Sequence, residues 1–152
     1  LLNDGSYKWN YRLIENIING FIILSEKNKK SQLHFDLFVG KIFTNLYGNY
    51  ELTLTVAQFF KLLSELSPRS FLAYIRKSIN EDKDTFLKFI NTTYSSIIMN
   101  NSFIHDVLYS IETVLKVEST ALNGLELLLD IYYCDNDRYY SYPFITKNRF
   151  LL

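Results

Sequence analysis

Two histidines, one cysteine and a scatter of hydroxyls are the residues of this chain whose types suit metal binding or nucleophilic catalysis. A zinc site needs three or four Cys, His or carboxylate ligands drawn together. His34 and His105 stand far apart on separate helical patterns, and neither belongs to a His-Glu-x-x-His arrangement. His105 and Asp106 are adjacent, and adjacent helical residues do not face one site. Cys134 has no companion thiol, so it forms neither an internal disulfide nor a thiolate cluster. Ser67, Ser70, Ser95 and Ser96 lack a nucleophile-elbow context. Asp135-Asn136-Asp137 has the opening of a calcium loop but lacks its glycine and its distal glutamate. The glycines are scattered, so no phosphate-cradling loop forms. The expectation is no metal, no cofactor and no catalytic residue.

Charge and aromatic clusters are the other chemical features. Lys27, Lys29 and Lys30 form one basic group, and Arg69, Arg76 and Lys77 another. Each reads first as a solvated face; converging, they would make a phosphate-contacting patch. Tyr133, Tyr139, Tyr140, Tyr142 and Phe144, with Tyr132, form the densest aromatic run, suited to packing or to an interaction surface. Glu112 interrupts an apolar run between Ile111 and Val114. It reads as an acid near the edge of the apolar stripe, at least partly buried, with Arg149 as first cationic partner and Arg69 as second.

These residues must be positioned by helices. The chain has 152 residues, 16 basic and 16 acidic, with 48% hydrophobic and 21% charged residues. That length and mix fit one globular domain with a sizeable core, residues 1–152. The zero net charge excludes a domain-wide nucleic-acid footprint. Trp9, Leu13, Ile14, Ile17, Ile18, Phe21 and Ile22 recur at helical spacing and predict a helix over Tyr7–Ser25. Its most apolar stretch, Tyr11–Leu24, is too short and too polar to cross a bilayer. Leu33–Leu46 follows, ended by Gly48.

Thr55–Glu65 is the third helix, with Tyr50–Val56 as its approach. Ser67-Pro68 starts the fourth, Ser67 as N-cap and Pro68 at the first helical position. A short helix through Ile90 follows, capped by Asp82 or Asp84. Ser102 opens a sixth helix, and Ser119 a seventh with Leu122, Leu125, Leu128, Leu129 and Tyr132 inward. Asn91–Asn101 carries no clear pattern. The fold class is all-α: an irregular array of about seven short helices, as stacked helical hairpins (α-solenoid-like) or a bundle. No strict sequence repeat is visible, though helical repeats are often degenerate. The chain starts at Leu1-Leu2 without Met and ends Phe150-Leu151-Leu152, which suggests a piece of a longer protein.

The later part of the chain resembles a known family. Leu66-Ser67-Pro68-Arg69-Ser70-Phe71-Leu72 is similar to an Ala/Ser-Pro-x-x-Phe-Leu helix start. Leu108–Leu115 is similar to an aromatic-Ala-Leu-Glu-x-Leu helix, followed by a Leu-rich helix, Leu122–Ile131, a turn, and a tail with Pro143 and Asn148-Arg149. Over about Val56–Leu152 these segments resemble the helical-repeat region of large bacterial STAND-type NTPases of antiviral defence and signalling. The resemblance implies a non-catalytic α-helical sensor or scaffold segment, with nucleotide hydrolysis and effector chemistry elsewhere in the parent. No catalytic residue of the family maps onto this chain.

The expected function is therefore a protein-interaction, sensor or scaffold module inside a larger bacterial protein, cytoplasmic and not membrane-bound. Its partners would be other domains of the same polypeptide or another protein. A nucleic-acid-binding module and a small enzyme with an unrecognised site are the alternatives.

Overall fold

The computed structural model describes residues 5–28, 32–95 and 100–136, with side chains described over 12–28, 32–92 and 103–134. Eight α-helices lie among the described residues: α1 (Gly5–Lys27), α2 (Gln32–Leu46), α3 (Tyr50–Val56), α4 (Phe60–Leu66), α5 (Pro68–Glu81), α6 (Lys83–Ile90), α7 (Phe103–Leu115) and α8 (Glu118–Asn136). The fold is all-α. The one addition is an antiparallel ribbon of β1 (Thr93–Ser95) and β2 (Asn100–Ser102), with Tyr94 opposite Asn101.

Local chemistry sets the boundaries. Gly48 adopts φ +73°, the left-handed conformation that ends α2. Asn49 then caps α3, its side-chain oxygen accepting from the Leu52 amide at 3.1 Å. The expected third helix is thus two: α3 starts at Tyr50, and a 3₁₀ turn, Ala57–Phe59, links it to α4. Pro68 opens α5 where no amide is missed. Asp82 caps α6 by accepting from the Thr85 amide at 3.3 Å.

The packing order reveals a repeat. α1 packs on α4 and α4 on α7; α2 packs on α5 and α5 on α8. Within each level, α1 meets α2, α4 meets α5, and α7 meets α8, while α3 touches α6. The chain therefore stacks three units: α1–α3, α4–α6, and a third begun by α7 and α8. With the Ala57–Phe59 turn taken as the start of the second unit, substantial contacts run only within a unit or between adjacent units among the described residues. Of the two expected arrangements, this is stacked hairpins.

The core lies between the row α1, α4, α7 and the row α2, α5, α8. Phe60 is fully buried, with the rings of Phe43, Phe71, Tyr74 and Phe89 at 5.8, 5.9, 5.9 and 6.0 Å. Val39, Leu66, Ile75, Val107, Ile111, Leu127 and Ile131 extend this one cluster. Burying each such side chain contributes about 1.5–3 kcal/mol.

Candidate interaction surface

Helix α8 is apolar on two faces. Thr120, Leu127, Ile131 and Cys134 are buried against the rest of the fold. Leu122, Leu125, Leu129 and Tyr133 are 70, 52, 56 and 66% exposed. These four recur three and four residues apart and so form one straight row. At about 100° per residue the exposed row points nearly opposite the buried one. This corrects the expected inward set: Leu128 is buried and Tyr132 half-buried, but Leu122, Leu125 and Leu129 face out. Gly124 explains the choice. A Cβ there would meet Leu115 Cδ2 at 2.9 Å, so α8 turns its side without a side chain towards α7 and swings the leucine row away.

The opposite end of the stack is also apolar outside. Among the described side chains of α1, Ile18 alone is buried, with Phe21 and Ile22 packed partly against the core, while Leu13, Ile17 and Leu24 are about half exposed or more. On α2, Leu33 and Leu37 are exposed. By contrast, the outer face of α5 is polar, carrying Arg69, Lys77 and Asn80.

Arg76 and Lys77 are bound within the fold rather than offered to an anion. The Arg76 guanidinium donates to the Glu126 carboxylate at 2.6 Å and to the Asn123 carbonyl at 3.1 Å, and Asp130 lies at 4.0 Å. Lys77 sits 4.1 Å over the Tyr47 ring and 3.8 Å from Glu81. Of the α5 cations proposed for a basic patch, Arg69 is the one with no ion pair among the described residues. Lys27 is exposed at the end of α1; Lys29 and Lys30 lie outside the described residues.

Glu112 is not buried. Its side chain is 55% exposed and pairs with Lys116 at 3.5 Å, one turn on. Tyr109 and Glu112 lie on the outer side of α7 and Lys116 just past its end, whereas Ile111 and Val114 face the core. Arg69 is not its partner in the described fold, and Arg149 lies outside the described residues. Of the aromatic run, Tyr133 is exposed; Tyr139, Tyr140, Tyr142 and Phe144 lie outside the described residues.

A cleft of about 350 Å³ opens between α2, the α4–α5 junction and the α7–α8 turn, lined by Asp36, Glu65, Arg69 and Ser119 among others. Hydroxyls next to it are taken up in bonds within the fold. Ser67 makes no N-cap bond, contrary to its expected role. It donates to Asp36 Oδ1 at 2.6 Å and lies 2.8 Å from Ser70 Oγ, which reaches the Asp36 carbonyl at 3.2 Å. Gln32 Nε2 donates to the same Asp36 oxygen at 3.1 Å and to the Leu66 carbonyl at 3.0 Å. Ser119 lies in the first turn of α8, which begins at Glu118, and Thr120 stitches that turn by reaching the Val114 carbonyl at 3.1 Å.

Burial pushes the Tyr74 phenol above its ordinary value, against hydrogen bonds with Thr53 and Ser78 that pull the other way. No group of three or more His, Cys, Asp or Glu that could hold a metal occurs among the described residues. No helix among them is long and apolar enough to cross a membrane.

The chain matches no protein-family model, no curated protein and no solved structure.

Proposed function

We propose that this chain is a non-catalytic α-helical repeat segment that works by binding protein, as a scaffold or sensor part of a larger polypeptide. The observation that carries the reading is the leucine-rich exposure at both ends of the stack: Leu33 and Leu37 on α2, and Leu122, Leu125 and Leu129 on α8. The core is already filled by other residues, so these rows are not needed to complete it. Contiguous exposed apolar rows mark interaction sites. Within this reading the parent is a cytoplasmic bacterial STAND-type signalling or defence protein, as the resemblance of the later segments implies, and the occupants are its other domains or a protein partner.

The test is a photo-crosslinking amino acid placed at Leu33, at Leu125 and, as a control, at Asn80, in cells expressing the full reading frame. Discrete adducts at both leucine positions and none at Asn80 are expected. Absence of adducts at both leucines would overturn the reading.

A further inference from the structure

The exposed row of α8 has a distinctive electrostatic setting. Helix α8 carries four charged residues, Glu118, Glu126, Asp130 and Asp135, and all are acids. The seam it already makes shows what they select. Helix α5 meets α8 through Arg76, which engages Glu126 and Asp130 while both carboxylates stay about half exposed. A basic side chain beside an apolar seam is therefore the chemistry with which this helix is already packed.

From these observations, and resting on the protein-binding reading above, we propose that Leu122, Leu125, Leu129 and Tyr133 seat a basic-edged amphipathic α-helix of a protein partner. Its apolar row would lie along the α8 row, and its lysines or arginines would meet Glu118 and the open sides of Glu126 and Asp130. The geometry favours a helix, because residues spaced three and four apart form a straight ridge that fits the groove of another helix. From Leu122 to Tyr133 that ridge runs about 16 Å, roughly three turns of a facing helix. The charge selects the partner's class: an anionic lipid surface or a nucleic-acid backbone would be repelled by these acids, and a basic helix is drawn to them.

The test measures binding of a fluorescein-labelled, 18-residue helical peptide, with a leucine row flanked by lysines, to the whole 152-residue chain by fluorescence polarisation. Saturable binding is expected. Leu125→Asp with Leu129→Asp should weaken it at least tenfold, while Leu13→Asp on α1 leaves it unchanged. Glu118→Lys should weaken it and flatten its salt dependence. A matched peptide with glutamates for lysines should bind at least tenfold more weakly. Circular dichroism melts of each variant confirm that folding is intact.

The proposal is overturned if the double variant binds as the parent does, or if the acidic peptide binds equally well. It is also overturned if the parent is a dimer that Leu129→Asp makes monomeric, since a second copy then holds the seat. Tighter peptide binding by Tyr140→Ser with Phe144→Ser overturns it too, because the chain's own residues would be the occupant. Failure to bind the peptide together with persistent crosslinks at Leu33 and Leu125 would sink this inference alone and leave the protein-binding reading standing.

Discussion

The Ser67 hydroxyl donates to Asp36 Oδ1 at 2.6 Å, joining the start of α5 to the second turn of α2 across 31 residues of sequence. Ser67 is fully buried and Asp36 half-buried, so the bond registers the second repeat unit on the first where water has little access. Asp36→Ala should lower stability by about 1.5–3 kcal/mol, as expected for a hydrogen bond to a charged group. Ser67→Ala should cost less, because it removes the buried donor itself. A double-mutant cycle from urea unfolding would check the coupling; strictly additive losses would show that the two residues act independently.

Glu112 and Ile111 are neighbours with opposite surroundings. Glu112→Gln should change stability by no more than about 0–1 kcal/mol, because its pair with Lys116 is exposed. Ile111→Ala should cost about 2–5 kcal/mol, since that side chain is fully buried. Thermal melts of the two variants side by side would reveal the contrast, and equal losses would contradict it.

Phe60 joins aromatic rings from α2, α5 and α6. Phe60→Ala should destabilise by about 3–5 kcal/mol through lost contacts and the cavity left behind. Phe60→Leu should recover part of that loss. Chemical denaturation with a constant slope would establish that stability, not compactness, had changed.

Tyr74 gives the fold an alkaline limit. Its folded-state value is raised, chiefly by burial, so the fold disfavours the phenolate. The associated stability is intact below the ordinary phenol value of 10.0 and is lost as pH rises towards and through the raised value. Tyr74→Phe should cost about 1 kcal/mol near neutral pH through the lost bond with Thr53. Above pH 10 its stability should fall less steeply than that of the parent, as followed by unfolding midpoints in a pH series.

Helix type was legible wherever one apolar row dominated. In α7, Ile104, Val107, Leu108, Ile111 and Val114 are buried as their spacing predicts. In α8 two apolar rows overlap, and periodicity does not say which one faces inward; the close approach of Gly124 to Leu115 decides it. The Ser67-Pro68 boundary was legible, but the Ser67 partner was not, because Asp36 is distant in sequence. The α3 start was hidden behind alternating threonines, although Asn49 supplied a capping signal. The three-unit repeat left no visible sequence period, since α1, α4 and α7 have 23, 7 and 13 residues while occupying equivalent places. Leu122, Leu125 and Leu129 pass for core in the sequence because type and spacing are the same for a buried row and an exposed one.

The restriction of substantial contacts to adjacent units has a mechanical consequence. Pulled apart along its length, the described stack has no substantial helix–helix contact from the first unit to the third that must rupture before anything else moves. Extension would release one unit at a time, each giving way at the strength of a single seam. The described helices would thus lengthen in steps while the remaining seams keep their form.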